Sequence, residues 1–111
     1  MRAFILFLLF AFCLNSLLAK ELTGKEIFYS VKGKFGSCNT CHPGGASAGR
    51  WDFENNEISS EDGKKIPSLK GIGKKKSPEQ VERSVKLMIK WFSFKLADEE
   101  ITKLAEYIVT L

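Results

Sequence analysis

Cys38-Asn39-Thr40-Cys41-His42 is the stretch around which the rest of this 111-residue chain is organised. Its pattern, Cys-x-x-Cys-His, is the attachment signature of a c-type haem. Two thiols that add across the two vinyl groups of one porphyrin must be close in sequence and on one side of a tight turn. The histidine after the second cysteine is then carried under the iron, where its imidazole becomes an axial ligand. The sequence therefore predicts one covalent haem c, attached at Cys38 and Cys41, with His42 as an axial iron ligand.

Other chemistries compete for the same three side chains. A structural zinc site takes four nitrogen or sulfur ligands, so a carboxylate would have to complete one here, because His42 is the only histidine in the chain. A thioredoxin-like redox pair occurs near a βαβ pattern, and no strand alternation surrounds this motif. A disulfide between Cys38 and Cys41 fits the spacing but leaves the histidine without a role. Haem attachment uses all three residues and is therefore favoured.

Two further segments, taken with this motif, make the chain resemble a small class I cytochrome c. The first is Ile66-Pro67-Ser68-Leu69-Lys70-Gly71, and the second is the ending from Leu96-Ala97-Asp98-Glu99-Glu100-Ile101 through Leu104-Ala105-Glu106-Tyr107-Ile108. The resemblance covers roughly residues 22–111. It implies an all-α cytochrome c fold, with three to four short helices wrapped around one covalently bound haem and no significant sheet. It also implies that an N-terminal helix crosses the last helix, where Gly24 and Phe28 would meet Tyr107.

The resemblance further implies a contact behind the axial histidine. In that family a prolyl carbonyl accepts a hydrogen bond from the free nitrogen of the ligating histidine, which fixes the ring and raises its basicity as a ligand. Pro67 corresponds to that proline, and Leu69 corresponds to a haem contact.

Met88 lies where the family places its second axial ligand, and it is the only methionine after Met1. Thioether ligation raises the reduction potential of a haem. The family usually presents Met-Pro in an irregular loop, whereas Met88 precedes Ile89 and lies on a helical apolar stripe. Packing in the core is the alternative for such a methionine, and the iron would then be open, bound to water, or ligated by Lys or Asn.

The beginning of the chain, residues 1–19, predicts a secretory signal peptide. Arg2 precedes an unbroken apolar run at residues 3–14, and Ala19 stands before the charged Lys20. The run is shorter than the roughly 20 residues that a spanning helix needs. Cleavage near Ala19 and a periplasmic location are therefore favoured over a retained N-terminal membrane anchor. Residues 20–111 would then form one mono-haem domain, whose small apolar core the haem completes.

Helical periodicity and capping signals predict three helices in the mature chain. The first covers residues 23–31, the second opens at Ser77, and the third begins at Asp98. Residues 43–65 sustain neither a helical nor a strand period, so they predict an extended loop insertion. Arg50 or Trp51 in this loop could donate a hydrogen bond to a haem propionate, although aromatics of a surface loop more often pack onto the core.

The net charge of +4 is modest and comes mostly from lysines. An exported haem domain would not meet nucleic acid, so the charge favours redox protein partners with an acidic docking surface. Membrane contact would be peripheral at most. The run Lys74-Lys75-Lys76 is either a docking patch or an ordinary solvated surface.

The chain contains no further constellation of catalytic side chains, so it is predicted not to be an enzyme. We expect an exported carrier of single electrons between redox partners. One alternative is a haem subunit of a larger complex, for example a sulfur-oxidising one, because the ending at residues 107–111 resembles such subunits. The other alternative is a small-ligand or gas-binding haem protein with an open sixth position.

Overall fold

The computed structural model describes residues 21–111, so the predicted signal peptide and the alternative N-terminal anchor lie outside the described residues. The helices are α1 (Gly24–Ser30), α2 (Cys38–Cys41), α3 (Pro78–Phe92) and α4 (Asp98–Ile108), and the strands are β1 (Arg50–Asp52), β2 (Glu57–Ser59) and β3 (Lys64–Lys65). Two short 3-10 turns, Pro43–Gly45 and Ile72–Lys74, connect them. None of the helices in this part of the chain is long and apolar enough to cross a membrane.

The predicted starts of α1 and α3 are confirmed by complete capping boxes. The Thr23 hydroxyl accepts from the Glu26 N–H at 3.1 Å, and the Glu26 carboxylate accepts from the Thr23 N–H at 3.2 Å. Ser77 and Gln80 repeat this exchange at 3.3 and 2.9 Å, with Pro78 in the first helical position. Each box satisfies N–H groups that have no partner inside a helix, so both starts follow from local sequence.

Helices α1 and α4 cross closely, as the resemblance implied. A side chain at Gly24 would collide with the Lys103 carbonyl oxygen and would lie 2.8 Å from the Tyr107 Cβ. The fully buried Phe28 ring meets the Tyr107 ring edge-on, with centroids 5.6 Å apart. The expected contact of Gly24 and Phe28 with Tyr107 is therefore confirmed. The buried core comes from α1, α3 and α4 and consists of Ile27, Phe28, Val81, Val85, Ile101, Leu104, Ala105 and Ile108.

The prediction of an all-α fold without a significant sheet is wrong. Residues 43–65 contain a three-stranded antiparallel sheet in the order β2-β1-β3. In its centre, Trp51 pairs with Ile58 on one side and with Lys64 on the other. The strands have only two or three residues each, which is too short for an alternating pattern to be recognised in the sequence.

Turn residues, rather than strand propensity, explain why this sheet forms. The Asp52 carboxylate accepts hydrogen bonds from the backbone N–H groups of Glu54 and Asn55 at 2.9 and 3.2 Å, which closes the turn between β1 and β2. Asn56 completes that turn with a φ of 52°, a conformation that asparagine tolerates better than most residues. Gly63, with a φ of 89°, lies so close to the Trp51 carbonyl oxygen that no side chain fits there.

Candidate haem site

A cleft opens between the attachment motif on α2 and the inner faces of α3 and α4. It encloses about 830 Å³ of empty space, part of which is continuous with solvent. The walls are almost entirely apolar and include Phe28, Leu69, Ile72, Val85, Ile89 and Leu104. Apolar walls with a few convergent polar groups are typical of cofactor sites.

The three residues of the motif lie on one wall of this cleft. Gly36 turns the chain into α2 with a φ of 121°, and a side chain there would lie 2.5 Å from the Thr40 hydroxyl oxygen. Residues three apart on a helix share a face, so Cys38 and Cys41 point the same way and both line the cleft. His42 follows at the end of the turn, where its N–H donates to the Cys38 carbonyl at 2.9 Å. The predicted one-sided arrangement of the motif is confirmed.

Cys38 and Cys41 are not joined by a disulfide. Burial raises the pKa of Cys38 from 9.0 to about 11, and burial also raises the pKa of Cys41. Within residues 21–111, no three His, Cys, Asp or Glu side chains converge on a point that could hold a metal ion. The zinc alternative therefore lacks a ligand set among these residues. The thioredoxin-like alternative lacks a βαβ unit there, because the described strands all pair antiparallel.

His42 is held in one orientation by the proline loop. Its Nδ1 lies 3.0 Å from the Pro67 carbonyl oxygen, which can only accept, so Nδ1 carries the proton. The Nε2 lone pair is then left for a ligand, and Nε2 makes no hydrogen bond within the described residues. Burial lowers the pKa of His42, although the hydrogen bond to Pro67 acts in the opposite sense. A neutral imidazole with a free Nε2 is the form that ligates iron.

The proline loop is itself attached to the loop after the motif. The Ile66 N–H donates to the Gly49 carbonyl at 2.9 Å, and the Leu69 N–H donates to the Gly45 carbonyl at 2.6 Å. These two bonds bracket Pro67 and hold its carbonyl against the His42 ring. Leu69 lines the cleft, so both residues assigned by resemblance to this loop lie beside the site.

Met88 also lines the cleft, from the middle of α3. It is half-buried and is not among the residues that form or cover the buried core. No Lys or Asn side chain lines the described cleft, and its nitrogen and sulfur atoms belong to Cys38, Cys41, His42 and Met88. Ligation by Lys or Asn therefore has no support. The departure from the family remains, because Met88 is presented by a continuous helix rather than by a loop.

No protein-family model, curated protein or solved structure matches this chain. The nature of the ligand must therefore be inferred from the residues and contacts of the chain itself.

Trp51 supplies an independent test of whether a haem fits. Its indole is 5% exposed and packs against Phe35 and Phe92, with ring centroids 5.2 and 5.3 Å away. Both phenylalanines line the cleft. The indole Nε1–H is buried without an acceptor in the described part of the chain, a state that costs about 1–3 kcal/mol. Trp51 does not itself line the cleft, so a carboxylate such as a haem propionate would meet this donor only beyond the two phenylalanine rings. The apolar cleft, with the three motif side chains on its wall, fits the group.

Arg50, the other residue considered as a donor to a haem propionate, already makes two hydrogen bonds within the chain. Its Nε and Nη2 donate to the Gly63 carbonyl oxygen at 3.0 and 2.7 Å. Arg50 therefore holds the turn before β3, whereas Trp51 is the available donor. The exposed run Lys74-Lys75-Lys76 lies at the end of a 3-10 turn and makes no ion pair within residues 21–111.

Several cleft residues were not predicted from the sequence. Phe35 and Phe94 line the cleft together with Leu96. For Phe35, its position three residues before Cys38 was the one signal in the sequence that could have placed it at the cleft. Phe94 and Leu96 follow the end of α3 at Phe92 and belong to no helical stripe, so only the packing of the chain brings them to the site.

Proposed function

We propose that this chain is an exported mono-haem c-type cytochrome, similar to the class I cytochromes c, that carries single electrons between redox partners. The observation that carries the proposal is the shared wall of Cys38, Cys41 and His42. On that wall two thiols and a free imidazole nitrogen face one large apolar cleft. No other chemistry considered for the motif uses all three groups in this arrangement.

When bound, the haem supplies an iron that changes its oxidation state by one electron. Cys38 and Cys41 would hold the group covalently, and His42 would ligate the iron through Nε2. The Pro67 carbonyl keeps the imidazole from rotating, because it accepts a hydrogen bond from the Nδ1–H, with 3.0 Å between nitrogen and oxygen. A histidine whose second nitrogen donates in this way is a stronger ligand.

Met88 is proposed as the second residue that would ligate the iron, because its sulfur is the one remaining soft donor on the described cleft wall. The surrounding apolar side chains would pack against the faces of the group. Trp51 would donate its unpartnered Nε1–H to a propionate, which would help to keep that charge in a protein environment. If His42 and Met88 both ligate the iron, the chain would leave no ligand position for a substrate, and the chemistry that the group would supply is electron transfer.

The proposal is tested on the protein purified from cells that assemble c-type cytochromes. We expect the haem to remain with the chain in acid acetone, and Cys38→Ala or Cys41→Ala to weaken this retention. Clean extraction of haem from the unmodified protein would overturn covalent attachment. Mass determination of the same sample places the cleavage site, which is expected near Ala19.

Spectra of the oxidised and reduced protein test the axial ligands. Sulfur ligation predicts a low-spin haem and a weak near-infrared band in the oxidised state. Met88→Ala should abolish that band and open the reduced iron to carbon monoxide. Ile89→Ala is the matched control, because Ile89 also lines the cleft from α3 but offers no ligand. Immediate carbon monoxide binding by the unmodified protein, without the sulfur band, would favour a gas-binding haem protein instead.

A further inference from the structure

An exposed apolar cluster lies on the outer surface of α3. Phe53, in the turn between β1 and β2, is 51% exposed, and Trp91 is 47% exposed. Their rings meet edge-on with centroids 6.2 Å apart. Leu87, 48% exposed, stands one helical turn before Trp91 on the same face of α3. We call these three side chains the aromatic patch. Large exposed apolar side chains that form one continuous surface are typical of interaction sites.

The charges beside the aromatic patch differ in sign between its two elements. On α3, the exposed Arg83, Lys86 and Lys90 surround Leu87. On the hairpin, the exposed acids next to Phe53 are Glu54 and Glu57. None of these five takes part in an ion pair within residues 21–111. The patch therefore has a basic rim on α3, with the acidic Glu79 one turn before Arg83, and an acidic rim on the hairpin. No ion pair joins the two rims within the described residues.

We propose that the aromatic patch is the contact surface for a second copy of this chain. A partner of one charge sign would be attracted by one rim and repelled by the other. A second copy related by a twofold axis places the acidic rim of each chain on the basic rim of its partner, because a twofold interface presents the same patch from both sides. Phe53 and Trp91 would form the apolar centre, where aromatic residues contribute most to binding.

This inference does not depend on the haem, and it is tested on the purified protein by sedimentation velocity at increasing concentration. We expect a monomer–dimer equilibrium that weakens as salt is added, because the rims are exposed. Trp91→Ala and Phe53→Ala should each raise the dissociation constant about tenfold or more. Tyr29→Ala is the control, since Tyr29 is 41% exposed and lies outside the patch.

A charge exchange distinguishes this arrangement from any other dimer. One variant carries Glu54→Lys and Glu57→Lys, and a second carries Arg83→Glu, Lys86→Glu and Lys90→Glu. Each variant alone should be monomeric, because both rims then have the same sign. An equal mixture of the two should associate, because each rim again faces its opposite.

The matched control reverses Lys74, Lys75 and Lys76 to Glu and should leave self-association unchanged. An unmodified protein that stays monomeric at every concentration overturns the proposal. The patch would then be a contact surface for a different protein. The proposal is also overturned if Trp91→Ala and Phe53→Ala leave the dissociation constant of the dimer unchanged. It is overturned as well if the mixture of the two charge variants does not associate. Far-ultraviolet circular dichroism of each variant establishes that a lost dimer is not a lost fold.

Discussion

The helices and the hairpin sheet of this chain are stabilised in different ways. Helices α1, α3 and α4 share one core of interlocked apolar side chains, including the fully buried Ile27 and Phe28. The sheet of residues 50–65 has one large buried side chain at its centre, Trp51, and is otherwise determined by turns and short ladders. Burial of apolar area dominates folding free energy. The helices should therefore set the stability of the whole chain, whereas changes in the sheet should act locally.

The largest expected effect comes from the helix crossing. Phe28→Ala would leave a cavity where α1 meets α4 and should lower the free energy of unfolding by about 3–5 kcal/mol. Urea unfolding followed by circular dichroism measures this. Tyr29→Ala, at the neighbouring but 41% exposed position, should cost far less. Equal losses for the two variants would contradict the central role of the crossing.

A smaller and more local effect is expected at Gly63. Gly63→Ala would force a side chain against the Trp51 carbonyl in a conformation with a φ of 89°, at a cost of about 1–3 kcal/mol. Because the strain falls within the sheet, hydrogen exchange should accelerate for the amides of β1 and β3 and stay unchanged in α4. Uniform acceleration across the chain would show that sheet and helices unfold as one unit.

Trp51→Phe should have effects of opposite sign in the haem-free and haem-loaded protein. Without haem, the change removes a buried donor that has no acceptor, so stability should rise or stay the same despite the smaller ring. With haem, the same change removes the bond to a propionate and should cost about 1–3 kcal/mol. Unfolding of both forms by guanidinium, compared with the unmodified chain, checks this. Equal changes in stability in the two forms would show that Trp51 makes no hydrogen bond to the haem.

The smallest expected effect is the acid sensitivity of the hairpin turn. Hydrogen bonds from the Asn55 side chain, the Asn55 backbone N–H and the Glu54 N–H hold the pKa of Asp52 below its ordinary value of 3.8. Folding thus favours the ionised carboxylate. The resulting stabilisation is present above the ordinary pKa and is lost as the pH falls through the folded pKa.

Asn55→Ala removes the largest of these contributions. Hydrogen exchange in β1 and β2 should therefore depend less on pH in this variant than in the unmodified chain, between about pH 5 and pH 2. An identical pH dependence in the two proteins would mean that Asp52 does not stabilise the turn through Asn55.

The parts of the fold that could be predicted are those that depend on neighbouring residues. Thr23 with Glu26, and Ser77 with Gln80, cap helices through contacts three residues apart, so their spacing is visible in the sequence. The sheet was missed because its short strands pair residues such as Arg50 and Lys65, which no local period connects. At the site, the Cys-x-x-Cys-His motif is local and therefore visible in the sequence, whereas the contact of His42 with Pro67 was expected from the resemblance alone.

The sequence of the motif determines which groups would hold the proposed haem, because Cys38, Cys41 and His42 lie within one turn of chain. Only the tertiary structure decides which other side chains lie around these three residues. Met88 reaches the cleft rather than the core because α3 presents that side to α2, and the indole of Trp51 lies behind Phe35 and Phe92 because the hairpin folds over them. These contacts join segments far apart in the chain, and they depend on how whole elements pack rather than on any spacing between residues.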